Sequence, residues 1–186
     1  MSFWTELSVP AEKELLVGFY DLTGYGRYAE KTEPLRVLGT MSGYFALTGK
    51  ILAEGGGRLF KAMGDGGLAA FPAELVDAGV LAFQRVQSEG NNWLAERGYK
   101  SRIIVKLHLG PVALGLVGSA GEEILDLYGK LVNVAATLPS TGLAMTPAVF
   151  RRLSPANRKS FKKHTPPISY IDAADARPNA AIVLNG

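Results

Sequence analysis

Two acidic residues stand where a fold could make them converge. Asp21 ends the apolar run Glu14–Asp21, ELLVGFYD, and is followed by Gly24 and Gly26. Asp65 sits in Met63-Gly64-Asp65-Gly66, between the apolar runs of RLFKAMGDGGLAAF. A D-G pair flanked by apolar runs is a strong hairpin signal. Each acid taken alone reads as an ordinary turn residue. Brought together by neighbouring strands of one sheet, two carboxylates could bridge two divalent cations, the arrangement used for displacement at phosphorus. The glycine-containing turn from Leu22 through Thr23 and Gly24 to Tyr25 could offer backbone N–H groups to phosphate oxygens.

Three further polar residues interrupt apolar stretches. Lys61 lies four residues before Asp65, on the same face if the strand is regular, or it snorkels at a sheet edge. Asp126 falls in a strand-like run and Asn133 in a helical one, both within LDLYGKLVNVAATL. Buried, each would need hydrogen-bond partners, which a purely structural role could also supply. His108 reads as a structural strand residue. His164, in the basic run RKSFKKH, reads as solvated surface.

The elements that must position these residues follow from the apolar pattern. Pro34 opens a helix to Glu54, ended by Gly55-Gly56-Gly57. A hairpin follows and closes at Pro72. A second long helix runs from Ala73 to Arg97, with Gly98 as its cap. Ser101 to Gly118 predicts two strands with a tight turn at Gly110-Pro111. A shorter helix spans Leu127 to Leu138, and late strands are expected at Ile168–Ile171 and Ala181–Leu184. The order β-α-β-β-α-β-β-α-β predicts an α+β domain with helices packed on one sheet.

Composition narrows the function classes. The chain has 186 residues, 47% of them hydrophobic and 20% charged, which suits a folded globular domain. It has no cysteine, so disulfides and Cys-ligated zinc are excluded, and with two histidines a multi-His metal site within one chain is not expected. A metal here must be a hard, carboxylate-bound cation. No apolar run is long enough to cross a membrane and no leader peptide is visible, so a cytoplasmic protein is expected. A net charge of +3 is mild, and no nucleic-acid partner is expected.

Four segments together resemble the catalytic domain of class III adenylate and guanylate cyclases. They are VGFYDLTGY, FKAMGDGGLAAF, LHLGPVALGLVG and LDLYGKLVNVAATL, in that order. The resemblance implies a ferredoxin-like cyclase fold with a mostly antiparallel sheet. It makes residues 1–186 one domain, with a core from about 14 to 145 completed by 146–186. It also implies a homodimer with its sites at the subunit interface. Asp21 and Asp65 of one chain would hold two Mg²⁺ or Mn²⁺. Lys61 and Asp126 of the other would read the purine, and its Asn133 would orient the ribose. The backbone of Leu22 to Tyr25 would hold the phosphates.

ATP would then be converted to cyclic AMP and pyrophosphate. Asp accepts from the adenine amino group and Lys donates to a ring nitrogen, so the pair favours ATP over GTP. One position departs from the family. Thr137 stands where the family has an arginine that stabilises phosphoryl charge, a group worth roughly 10³-fold or more in rate. A late family lysine has no clear counterpart, with Lys162, Lys163, Arg151 and Arg152 as the nearby basic residues. A slow adenylate cyclase, a non-catalytic nucleotide- or partner-binding domain, and a cyclase for GTP or a pyrimidine nucleotide are therefore the competing expectations.

Overall fold

A computed structural model describes residues 3–165 and 168–175. The expected strand at Ala181–Leu184 lies outside the described residues. A short helix α1 (Phe3–Glu6) leads into β1 (Ala11–Leu22). Helices α2 (Tyr25–Glu30) and α3 (Pro34–Glu54) follow, then the hairpin β2 (Arg58–Met63) and β3 (Gly66–Pro72). A single 3₁₀ turn, Ala73–Leu75, opens α4 (Val76–Glu96). Next come β4 (Ile103–Val117), β5 (Ile124–Tyr128), α5 (Lys130–Thr137) and β6 (Leu143–Met145). The described chain closes with α6 (Pro147–Arg152), α7 (Pro155–Arg158), β7 (Phe161–His164) and β8 (Ser169–Asp172).

The strands form one sheet in the order β2-β3-β1-β4-β6-β8-β7, with β5 also paired to β4. Every pairing is antiparallel except β4 with β6. β1 is central, and Leu15, Leu16, Val17 and Gly18 are all buried because both faces of the sheet are covered. Leu16, Tyr20 and Leu22 face a core shared with α3, α4 and α6. Leu15 and Val17 face a smaller core with Leu131 and Ala135 of α5. The Tyr20 hydroxyl meets Thr48 Oγ1 at 3.1 Å and ties β1 to the middle of α3.

Two expectations change. The chain does not turn at Gly110-Pro111, because β4 runs unbroken from Ile103 to Val117. One edge of β4 pairs with β1 from Ile103 to Leu114. Its other edge pairs with β6 at Val105–Leu107 and with β5 at Ala113–Val117. Pro111 falls in the unpaired interval between them, the kind of place where a missing N–H is tolerated. The helix expected from Leu127 begins at Lys130, since Leu127 and Tyr128 pair with Leu114 and Ala113 as the end of β5.

The sheet is strongly coiled. β3, β1 and β4 separate β2 from β5 in strand order, yet Lys61 Nζ of β2 lies 2.7 Å from Asp126 Oδ2 of β5. On the opposite face the Phe83 ring of α4 sits flat against Gly18, where an added Cβ would fall 2.1 Å from Phe83 Cζ. Gly18→Ala is therefore expected to destabilise the fold by about 1–3 kcal/mol through overpacking. Urea unfolding measures this, and Phe83→Leu in the Gly18→Ala background should recover part of the loss.

Candidate active site

Asp21 is the penultimate residue of β1, opposite Ile104 of β4. Its Oδ1 accepts from the N–H of Leu22 at 3.1 Å, which fixes the carboxylate at the strand end. Asp65 is delivered by the neighbouring hairpin. Met63 pairs with Gly66, so the loop is the two residues Gly64 and Asp65, and Gly64 takes φ 63°, which suits glycine. Tyr20 pairs with Gly67, which brings that loop beside Asp21.

Missing side chains keep the ground between the acids open. A Cβ on Gly66 would lie 3.1 Å from both Asp21 Oδ1 and the carbonyl of Tyr20. One on Gly67 would fall 2.2 Å from the Tyr20 ring. The result is a pocket of about 310 Å³ lined by Asp21, Asp65, Lys106 and Ala136, among others. Burial raises the Asp65 carboxyl above the usual carboxylate range, and the Asp21 charge and the hydrogen bond that protonated Asp65 donates to Asp21 push it the same way. Two converging carboxylates of this kind fit a hard cation, which would relieve their repulsion. Among the described residues no third His, Cys, Asp or Glu joins them, so a cation would draw its remaining oxygen ligands from outside this set.

The sequence argument that Lys61 shares a face with Asp65 does not hold. The β2–β3 register shifts between Leu59 and Lys61, and Asp65 already belongs to the turn. Lys61 instead reaches Asp126, with its ammonium 5.4 Å from the centre of the Tyr128 ring. Asp126 is 3% exposed, and its Oδ1 accepts from the Leu127 N–H at 2.8 Å. Burial works to raise this carboxyl. The Lys61 hydrogen bond, the Leu127 N–H and the Lys61 charge outweigh it and hold Asp126 below the usual range.

Asn133 is not the buried polar residue its apolar surroundings suggested. α5 buries Leu131 and Ala135 and turns Asn133 and Thr137 to solvent. The Thr137 hydroxyl donates to the Asn133 carbonyl at 2.8 Å, a helix back-bond that occupies its one proton. The turn after Asp21 is partly engaged as well. The Leu22 N–H is taken by Asp21, and the Thr23 N–H donates to the Arg102 carbonyl at 3.0 Å. The N–H groups of Gly24 and Tyr25 remain at the open N-terminal end of α2.

Lys106 was missed by the sequence reading. It faces Phe19 across β1–β4, lines the carboxylate pocket and donates to the Ala136 carbonyl at 3.0 Å. Its signal was a lysine alternating with Ile, Val and Leu in β4, on the face shared with Ile104 and His108. The basic residues considered for the missing arginine lie elsewhere. Lys162 and Lys163 are exposed on β7, the sheet edge farthest from β2. Arg151 and Arg152 are exposed on α6. His108 is structural, as expected, with Nδ1 2.6 Å from Thr146 Oγ1, and burial lowers its pKa. His164 is exposed, also as expected.

This coiled, mostly antiparallel sheet with paired acids at one strand end defines an α+β domain of the nucleotidyl cyclase kind. The sequence profile of the adenylate and guanylate cyclase catalytic domain matches residues 8–169, and the chain belongs to that family. It is 25% identical over 163 residues to an adenylate cyclase of Anabaena cylindrica, a match covering 80% of this chain and 32% of that protein. The chain thus spans about a third of the length of the curated relative it matches. A bacterial light-regulated adenylyl cyclase has a similar fold, with a TM-score of 0.77 at 24% identity, over 93% of this chain and 55% of that one. So does the adenylyl cyclase CyaB from P. aeruginosa, with a TM-score of 0.76 at 16% identity, over 92% and 98% of the two chains. A guanylyl cyclase gives 0.75 at 18% identity, over 88% and 92%. Among the described residues no helix is long and apolar enough to cross a membrane.

The Asp65 environment sets a pH-dependent outcome. The folded protein holds this proton more tightly than the unfolded chain does, so it is the ionised form that destabilises the fold. That cost is present above the raised pKa and is removed as pH falls below the ordinary carboxylate range. Asp65→Asn should therefore raise Tm at pH 8, with the gain shrinking as the pH is lowered. The same substitution should weaken Mn²⁺ binding by at least roughly tenfold, measured by calorimetry, because one anionic ligand of two is gone.

Proposed function

We propose that this chain is a nucleotidyl cyclase catalytic domain that converts ATP to 3′,5′-cyclic AMP and pyrophosphate in a homodimer. The convergence of Asp21 and Asp65 on one open pocket carries this reading, since a pure interaction domain has no use for two abutting carboxylates. In the reaction the ribose 3′ oxygen bonds to the α-phosphorus, the bond from that phosphorus to the β-phosphate bridging oxygen breaks, and the hydroxyl proton passes to solvent. Asp21 and Asp65 would hold Mg²⁺ or Mn²⁺, whose charge would acidify the hydroxyl and offset that of the departing pyrophosphate. Gly24 and Tyr25 present N–H groups to the phosphates. Lys106 brings positive charge to the acid pocket.

Lys61 and Asp126 favour adenine. Their ion pair leaves two ammonium protons and further carboxylate lone pairs for a base edge that offers one acceptor and one amino donor. Neither residue, nor Asn133, lines the pocket of Asp21 and Asp65 in the same chain. This separation supports a composite site in which the second copy supplies the base-reading half. The hairpin tips are suited to that contact, because Leu116, Val117, Ile124, Tyr128 and Met63 are large apolar residues left exposed. A two-fold dimer repeats every contact and so has two sites. A nucleotide-binding domain without turnover is the second reading, favoured by the engaged Thr137 hydroxyl.

Incubation with each of the four nucleoside triphosphates and Mn²⁺, with products identified by mass spectrometry, tests the reaction. Cyclic AMP from ATP is expected. No cyclic product from any triphosphate, by a folded dimer, supports the non-catalytic reading. Mixing Asp21→Ala chains with Asn133→Ala chains should restore activity at one site of each mixed dimer. No recovery beside an active wild type would refute the shared site.

Lys106 and Thr137 make a second pair of expectations. Lys106→Met should lower kcat roughly 10²-fold with a much smaller change in KM, because the lost charge acts on the transition state. Thr137→Arg should raise kcat with ATP. Steady-state kinetics checks both, and a Lys106→Met enzyme altered mainly in KM would place Lys106 in ground-state binding only.

A further inference from the structure

A second cavity, of about 400 Å³, lies between α2, the start of α3 and the loop joining α4 to β4. Five cations line it, Arg27, Lys31, Arg36, Arg97 and Lys100, and no carboxylate does. The whole chain carries only +3, so this is a local concentration of charge. Among the described residues Arg27, Lys31, Arg36 and Lys100 enter no ion pair. Arg97 is held in place, its guanidinium 3.7 Å from the centre of the Trp93 ring and its Nη1 donating to the Trp93 carbonyl at 3.0 Å. It also forms an ion pair with its exposed neighbour Glu96, Nη1 to Oε2 at 3.7 Å.

The cavity also has a firm floor. Tyr28 and Tyr99 stack with ring centres 4.2 Å apart and planes within 4°. Tyr28 donates to Thr40 Oγ1 at 3.0 Å, and Tyr99 is buried. Cationic walls that repel one another in the absence of a ligand, above a rigid aromatic base, suit a compact ligand carrying several negative charges. A duplex or an extended peptide is too large for a cavity at the small end of the ligand-pocket range, about 300–1,000 Å³. Tetrahedral phosphoryl groups match a mixture of Arg forks and Lys point charges.

We propose that this cavity is a binding site for a small polyphosphate anion, separate from the carboxylate pocket. It is wired to that pocket by one residue. The Thr23 carbonyl accepts from Tyr99 Oη at 3.3 Å and from Ser101 Oγ at 3.0 Å, while Thr23 Oγ1 accepts from the Arg102 N–H at 2.9 Å. Thr23 lies two residues after Asp21, and Gly24, next along, lines the cavity itself. An anion that drew Lys100 and the Arg97 loop inward would therefore pull on the turn that follows Asp21.

Calorimetric titration of the full chain with inorganic tripolyphosphate, in EDTA, tests the site without any demand on catalysis. One anion per chain is expected to bind. The exposed triple variant Lys31→Ala, Arg36→Ala, Lys100→Ala should bind at least roughly tenfold more weakly, since it loses three charge-assisted partners. The double variant Asp21→Asn, Asp65→Asn should bind as the wild type does. Lys159→Ala, Lys162→Ala, Lys163→Ala, which removes three exposed charges that do not line the cavity, should also bind normally. Equal loss in that control would show diffuse attraction and overturn the proposal. So would no binding by the wild type, or loss confined to the Asp21/Asp65 variant. An inactive enzyme that passes these measurements would leave the anion site standing and refute only the proposed reaction.

Discussion

The architecture answers one electrostatic demand, that two carboxylates stay together although their charges repel. Asp65 could relax away from Asp21 by a small opening of its hairpin. The fold denies that movement through the six-residue β1–β3 register, which places Gly67 opposite Tyr20. Tyr20 is pinned in turn, its ring lying over Gly67 and its hydroxyl against Thr48 of α3. The same strand carries Gly18 beneath Phe83 of α4. The two long helices thus clamp one face of β1 while the acids stand at its end. The repulsion of like charges at the end of β1 is offset by packing some distance from it.

The Lys61–Asp126 pair solves the opposite problem. Asp126 is almost fully buried, and a buried carboxylate without a partner is strongly disfavoured. The partner comes from the far side of the strand order, so the pair forms only when the sheet coils. The Lys61 side chain is 32% exposed, so the pair itself gains little net stability, but removing Lys61 would leave the Asp126 carboxylate buried without its cation. The pair's effect is to make one curvature of the sheet much better than its neighbours. That curvature sets where β5 ends and α5 begins, and hence where Asn133 and Thr137 emerge.

The residues that announced themselves in the sequence did so because their local signals and tertiary roles agree. Asp21 ends an apolar strand and Asp65 occupies a glycine-flanked turn, and strand pairing alone makes them neighbours. Asp126 in LDLY was legible as a buried acid needing a partner. Asn133 was not legible as exposed, because VNVAAT looks apolar all round and only the placement of Leu131 and Ala135 against β1 and β4 decides which stripe is covered. Gly110-Pro111 read as a turn because the local signal is strong. What overrides it is the switch of β4's free edge from β6 to β5, a fact of topology that no local window contains. The end of β5 was hidden for a similar reason, its Leu127 and Tyr128 serving helix and strand patterns equally well. Lys106 was passed over because its importance depends on which face of β4 meets α5.

The basic cavity lay further from view because its five cations come from three stretches of chain that no spacing rule connects. Its position gives the molecule an uneven field. Acids gather at the end of β1, and bases gather just beyond the turn that follows them. Between the two stands Thr23, whose N–H, carbonyl and hydroxyl are all bound to the segment from Tyr99 to Arg102. A turn held on every polar atom moves with its partner segment. Asp21 is therefore coupled to the α4–β4 loop more tightly than to α2, which follows it directly in sequence. Charge added at that loop changes the potential at the carboxylates and also bears on the backbone that aims one of them.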